Sequence, residues 1–329
     1  MVEFLLPAVI NWPEWEPLFT DAATWRPVVD RLWAREPALA AQTGVRAPEE
    51  VVAGYPGTCA VFIVNNAVVV KFYPPMVATD WARERAVYRL LEDRLAEAPQ
   101  LLAAGIFRDR LDWPYLVTTF RPGVAWREVG ATMSAAQRLA IGRTVGERLR
   151  LVHETPLAHV DVWPRRDQWR SFVHERLVAA PAALRLRLPL PEALLAATER
   201  LMRRTDWFAA PPRLLHADLT EDHVLVNRER ESWCITGLID WGDAEVGDPV
   251  YEWVALYFGF CRCDGALFRD VLRGYNPGMP LPSPEQLLAF TLLHRFGPNI
   301  IADVLPAATC RHLRGLDDLA AALFPDLDG

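Results

Sequence analysis

Between residues 51 and 120 apolar residues come in short strand-like runs. After residue 123 they recur mainly at helical spacing. The runs 61–64 and 67–72 flank Asn65-Asn66, a pair that tolerates positive φ and suits a two-residue hairpin. If Val64 pairs with Ala67, Lys71 falls opposite Ala60, next to the turn at Gly57. Further strand-like runs at 101–107 and 114–120 would complete a small sheet. Between them a helix is expected over 77–95, where Trp81, Glu84, Tyr88 and Leu91 recur at i, i+3, i+7 and i+10 and so share one face. The stretch before residue 45 has helical character punctuated by Trp and Pro, and 51–58 is turn-rich. Arg121-Pro122-Gly123 breaks the strand pattern and marks a boundary. Beyond it lie helical stretches at 134–153, 167–179 and 192–205, short strands near Leu214 and at 224–226 and 234–239, and helix again after Pro249. This order predicts an α+β chain, with a small β-rich lobe over 1–120 and a larger, mainly helical lobe over 121–329.

The helix phase has a chemical consequence. It sets Glu84 on a buried stripe, where an unpaired carboxylate is costly, so a cationic partner is required. Lys71 is the natural partner. Of the 35 Lys and Arg residues it is the only lysine, and it lies in the apolar strand Val68-Val69-Val70-Lys71-Phe72. Lysine's compact ammonium and arginine's planar fork are not interchangeable where a point charge must reach a phosphate. Retention of one lysine in a strand therefore indicates a functional position.

Composition narrows the field. Hydrophobic residues make up 51% of the chain and charged residues 23%, which fits a globular protein and not a disordered one. A net charge of -7 lacks the basic footprint of a nucleic-acid binder. No apolar run approaches the roughly 18–20 residues that span a bilayer. The N-terminal stretch lacks a basic leader and is interrupted by Pro7, so no signal peptide is expected. Five scattered cysteines suit reduced thiols in a cytoplasm better than a disulfide framework. Cys261-x-Cys263 with the distant Cys310 and His312 does not match a zinc spacing.

Two acidic loops carry the candidate chemistry. One is Leu214-Leu215-His216-Ala217-Asp218-Leu219-Thr220-Glu221-Asp222-His223; the other is Ile239-Asp240-Trp241-Gly242-Asp243-Ala244-Glu245-Val246-Gly247-Asp248-Pro249. Each presents an aspartate directly after a short apolar strand. One such carboxylate can orient a hydroxyl and accept its proton; another can hold Mg²⁺ against phosphate oxygens. Phosphoryl transfer needs little covalent help, so positioning and charge neutralisation supply most of its catalysis.

These two loops, with the strand lysine and helix glutamate in the same order, resemble the aminoglycoside phosphotransferase family from about Gly54 to Trp253. The resemblance implies a bilobal protein-kinase-like fold and transfer of a phosphoryl group from ATP or GTP, with Mg²⁺. By position it implies that Asp218 is the catalytic aspartate and that His216 supports its loop. Asp240 and His223 fall at the metal positions. Lys71 would contact the α/β-phosphates while paired with Glu84, and Asp248 would anchor the loop. Thr119 and Arg121 fall where backbone reads the base, with Thr118 as gatekeeper. His223 departs from the family's usual asparagine, and Mg²⁺ prefers oxygen to imidazole; the 2″-kinase branch resembles this chain in carrying histidine there. The loop Gly54-Tyr55-Pro56-Gly57-Thr58-Cys59 is not a glycine-rich nucleotide fingerprint, yet its place before Lys71 nominates the Thr58 and Cys59 backbone for phosphate.

The expected acceptor is a small hydroxyl-bearing molecule. The resemblance implicates Glu221, Asp222, Asp243, Glu245 and Glu252, carboxylates that would suit a polycationic aminocyclitol, and 239–253 also resembles hygromycin kinases. A metabolic acceptor such as an amino alcohol, choline or a sugar is the enzymatic alternative. Trp253, Tyr257, Phe258 and Phe260 could cage an ammonium group but read better as helical core. An inactive kinase-fold binding module and a metal hydrolase using His216 and His223 are the remaining alternatives. Oligomeric state is not legible.

Overall fold

Five strands make the N-terminal sheet: β1 (Val51–Ala53), β2 (Ala60–Val64), β3 (Val68–Phe72), β4 (Leu101–Arg108) and β5 (Asp112–Thr119). Their order is β1-β2-β3-β5-β4, and every neighbouring pair is antiparallel. The structure, a computed structural model, describes residues 4–327 except 56, 158–167 and 231. Pro56 of the expected phosphate loop and Asp167, the expected start of a helix, lie outside the described residues.

The β2–β3 register differs from expectation by one residue. Val64 pairs with Val68, and Lys71 lies opposite Val61, not Ala60. Both asparagines do adopt positive φ, 52° and 51°. Ala67 is drawn into the loop, where its N–H bonds to the Val64 carbonyl and its own carbonyl accepts from Phe120. The face pattern explains the choice. Ala60, Phe62 and Val64 are buried on β2, and Val68, Val70 and Phe72 on β3. A one-residue slip would set these buried faces against half-buried positions.

The buried sheet face is covered by the N-terminal segment. Phe62, Phe72, Trp113 and Val117 share one core with Trp15, Trp25, Val28 and Leu32. Trp25, in the helix Ala22–Arg35, stacks on Phe72 with ring centroids 4.8 Å apart. Asp21 caps that helix by accepting from the Ala23 and Thr24 amides. The helix Ala78–Leu91 joins β5 through the Trp81 indole, which donates to the Tyr115 carbonyl at 2.9 Å.

The rest of the chain is largely helical. Its longest helices are Ala135–His153, which begins in a Ser134–Gln137 capping box, Gln168–Arg187 and Glu192–Arg204. Short strands interrupt them: β6 (Val124–Ala125), β7 (Arg213–Leu215), β8 (Val224–Glu229), β9 (Ser232–Leu238) and β10 (Glu245–Gly247). β6, β8 and β9 form one small sheet; β7 pairs with β10. Helices 135–153 and Gly265–Tyr275 pack almost backbone to backbone, because a Cβ on Gly146 would fall 1.9 Å from the Val271 carbonyl oxygen. Trp253, Tyr257, Phe258 and Phe260 are all buried as core, as their helical spacing suggested.

The chain divides into two compact units, 1–122 with 237–243, and 123–236 with 244–329. Segment 237–243, which carries Asp240, thus belongs with the N-terminal sheet, although the sequence boundary at 120/121 assigned it to the helical part. The Leu238 amide donates to the Glu97 carbonyl and holds it there. No helix among the described residues is long and apolar enough to cross a membrane.

Candidate active site

Lys71 projects from β3 into a cluster of polar groups within the first unit. Its Nζ lies 2.7 Å from Glu84 Oε2 and 2.8 Å from Asp240 Oδ1. Glu84, 1% exposed, also accepts from the Tyr88 hydroxyl at 2.8 Å and from the Tyr73 hydroxyl. Helix phase thus delivers Glu84 and Tyr88 to one side of the lysine, and strand parity delivers Tyr73. Burial pulls the Lys71 pKa down, but the neighbouring Asp240 and Glu84 charges outweigh it and hold the ammonium well above its ordinary value. The Tyr73 and Tyr88 phenols are raised by burial and by Glu84, so both stay protonated as donors. Asp240 takes a left-handed conformation, φ 64°, two residues after the end of β9. Such a backbone is costly for a non-glycine residue and points to a position held by its surroundings.

Thr58 and Cys59 precede β2. The Trp15 indole donates to the Thr58 carbonyl at 3.1 Å, so the N-terminal segment fixes this loop. Burial pushes the Cys59 thiol up to about 12, which leaves it unreactive at neutral pH. At the end of β5, Thr118 is buried, the Thr119 amide bonds to the Gln100 carbonyl, and the Arg121 guanidinium donates to the Ala98 carbonyl.

The second unit holds the Asp218 loop. It leaves β7 through His216 and through Ala217, whose φ is 64°. Glu252, 0% exposed, stabilises this turn: its carboxylate accepts the His216 amide at 2.6 Å and the Ala217 amide at 3.3 Å. Behind it, His153 Nε2 stands 3.7 Å from Glu252 Oε2, and His153 Nδ1 meets the Tyr275 hydroxyl at 3.1 Å. Asp218 keeps a quarter of its side chain exposed. His223 folds back so that Nδ1 lies 2.6 Å from the Asp218 carbonyl oxygen, and its ring stacks on His216. A carbonyl oxygen can only accept, so Nδ1 is the donor in this contact. Asp248 caps the helix Pro249–Ala255 through the Val250 amide at 2.9 Å, and burial raises its pKa.

The carboxylates nominated for a cationic acceptor fare differently. Glu252 is corrected outright: it is fully buried and its oxygens serve the backbone of the Asp218 loop. Glu245 is buried in β10, where its oxygen accepts from Gln168 at 2.8 Å. Glu221 and Asp222 both pair with Arg127, at 3.1 Å in the Glu221 case, and Arg262 stands 3.9 Å from Glu221. Asp243 is half-buried. Sequence reasoning missed Arg127, because its partners lie 94 and 95 positions away with no local pattern to signal them.

Among the described residues no three metal-capable side chains converge. Mg²⁺ needs no such cage, since one or two carboxylates plus phosphate oxygens suffice. The Asp240 carboxylate, with 45% of its side chain exposed, has the donor chemistry for it. The imidazole of His223 suits Mg²⁺ less well.

Known proteins share this architecture. An aminoglycoside 2″-phosphotransferase, APH(2″)-IIIa, in complex with GDP and kanamycin aligns with a TM-score of 0.60 at 18% identity, over 88% of this chain and 96% of that one. A thermostable mutant of aminoglycoside phosphotransferase APH(4)-Ia, in a ternary complex with ADP and hygromycin B, aligns with a TM-score of 0.59 at 17% identity, over 89% and 99%. At such identities the likeness establishes the fold. A protein of Arabidopsis thaliana named lysine-specific demethylase JMJ21 is 24% identical over 211 residues, 51% of this chain, and the match spans 22% of that longer protein. The profile of the phosphotransferase enzyme family, APH, matches residues 59–288. With the strand lysine, its buried glutamate and the two aspartate loops all inside that span, the chain belongs to the phosphotransferase enzyme family.

Proposed function

We propose that this protein is a small-molecule kinase that moves the γ-phosphoryl group of ATP or GTP to a hydroxyl of its acceptor. The observation that carries this reading is the cluster of Lys71, Glu84 and Asp240. A lone lysine, held charged between two carboxylates at 2.7 and 2.8 Å, is built to meet the negative charge of a nucleotide's phosphates.

In this reading Lys71 contacts the α/β-phosphates, and Glu84, fixed by Tyr73 and Tyr88, aims it. The Thr58 and Cys59 backbone touches phosphate oxygens, and the chain at Thr119 and Arg121 reads the base. Asp240 would hold Mg²⁺, with His223 as the second nominated metal residue; the ion would neutralise charge on phosphate oxygens. Asp218 orients the acceptor hydroxyl and accepts its proton as the oxygen attacks. His216 and Glu252 hold the turn that presents Asp218. Aminoglycosides and hygromycin are acceptors to examine because the aligned structures contain kanamycin and hygromycin B.

A coupled assay for ADP or GDP release tests the reading over aminocyclitols, choline, amino alcohols and sugars. Acceptor-stimulated release, with a phosphorylated product seen by mass spectrometry, is expected for one class. Nucleotide-independent phosphate-ester hydrolysis would instead favour a hydrolase.

A further inference from the structure

The ion pairing around the Asp218 loop bears on acceptor class, and the argument rests on the kinase reading just given. A polycationic acceptor needs carboxylates whose charge is not already matched. Within the second unit, the four carboxylates nominated for that purpose each already have a partner, although Asp222 engages through Oδ2 while its Oδ1 is buried without a hydrogen bond. Glu252 and Glu245 are buried and hydrogen-bonded internally. Glu221 and Asp222 share one guanidinium, that of Arg127, whose Nε meets Glu221 at 3.1 Å and whose Nη2 meets Asp222. The Arg127 amide adds a bond to the Glu221 carbonyl at 3.1 Å, so the arginine is tied to the loop by backbone as well as side chain.

A second cation approaches from another element. The helix Pro249–Ala255 runs into a π-helical turn, Leu256–Phe260, which presses Gly259 against Thr220; a Cβ there would fall 2.9 Å from the Thr220 methyl. The chain then passes through two left-handed residues, Arg262 at φ 53° and Cys263 at φ 64°. This bend brings Arg262 Nε to 3.9 Å from Glu221. Arg127 and Arg262 keep 48% and 70% of their side chains exposed, against 19% and 17% for Glu221 and Asp222. Solvent at this face of the loop therefore meets guanidinium before carboxylate.

We infer that Arg127 is a specificity-determining residue which occupies the cation subsite itself, and that the acceptor is a hydroxyl compound without a polycationic surface. An incoming ammonium group would have to displace a planar fork already bonded across two carboxylates. Because that fork is tethered, it competes with a free ligand at an effective concentration on the order of millimolar or above.

Calorimetric titration of kanamycin and hygromycin B into the wild type, Arg127→Gln and Arg127→Gln/Glu221→Gln/Asp222→Asn tests this at physiological and low salt. The wild type should show no saturable binding up to about 1 mM. Arg127→Gln should gain up to about tenfold, as expected if two pairs worth up to about 0.7 kcal/mol each are released, and the triple variant should lose that gain. A purely structural role for Arg127 would not create affinity. Tight wild-type binding that Glu221→Gln/Asp222→Asn weakens would overturn the inference, as would a folded Arg127→Gln with no gain. If Arg127→Gln does not fold, the wild-type and Glu221→Gln/Asp222→Asn titrations decide alone. ATP titrated into the same samples separates the two readings, since absence of nucleotide binding would sink the kinase proposal and leave the charge result standing.

Discussion

Replacing Glu84 by glutamine removes one charge from the Lys71 cluster and leaves its shape. In the wild type the carboxylate is 1% exposed and accepts from Lys71 at 2.7 Å, from Tyr88 at 2.8 Å and from Tyr73. Glutamine keeps one acceptor oxygen, so Lys71 loses its buried counter-charge and retains Asp240 alone. Removing one member of a buried pair costs about 3–5 kcal/mol. Asp240, at 2.8 Å with a half-exposed side chain, still compensates Lys71 in part, which favours the lower end. At roughly 1.5 °C per kcal/mol for a chain of 329 residues, a loss of about 3 kcal/mol lowers Tm by roughly 4–5 °C. The pH dependence gives a second check. The folded pKa of Lys71 is raised, so its contribution is present below the unfolded value near 10.5 and is lost only as pH climbs above it. Scanning calorimetry between pH 6 and 9 should therefore show a constant gap between wild type and Glu84→Gln. A Tm shift below about 1 °C, smaller than a single kcal/mol would produce, would refute the claim that this cluster is a buried, mutually dependent unit.

Gly146→Ala should be severe. Its new Cβ would lie 1.9 Å from the Val271 oxygen and 2.6 Å from the Tyr275 nitrogen, both backbone atoms that cannot rotate away. A loss of about 3 kcal/mol or more is expected, read as a lower urea midpoint or insoluble expression, and an unchanged midpoint would refute the close helix crossing. His294 supplies an acid sensitivity. Burial pushes its pKa down to about 3 from an ordinary 6.5, so below pH 6.5 the unfolded chain binds a proton that the folded chain refuses. Stability from this group is complete above pH 6.5 and falls towards pH 3, at about 1.4 kcal/mol per pH unit. Urea midpoints at pH 6.5 and 5 should diverge more in the wild type than in His294→Asn; equal divergence would refute the assignment.

How much of this was legible depended on local pattern. Glu84 and Tyr88 lie i and i+4 on one apolar stripe, so helix phase located both on one buried face. Tyr73 shares strand parity with Lys71 and could have been found the same way. The Asn65-Asn66 turn alone points to a β2–β3 register one residue off, and the alternation of Phe62, Val64, Val70 and Phe72 decides the pairing. β1, β6 and β10, of two or three residues each, offer no period to detect. The acidic residues after Asp218 and Asp240 advertised charge and hid their partners. Glu252 pairs with amides 35 and 36 positions back, and Arg127 with carboxylates more than 90 positions on; only folding reveals such long-range pairs.

The central claim, that Asp218 accepts the proton of an acceptor hydroxyl in nucleotide-dependent phosphoryl transfer, is tested most directly by Asp218→Asn. Turnover of ATP or GTP with acceptor and Mg²⁺ should fall by about 10²–10⁴-fold, while nucleotide binding measured by calorimetry stays at the wild-type value. Asparagine preserves the shape of the loop held by Glu252 and removes only the basic oxygen. Wild-type turnover in Asp218→Asn would contradict the account.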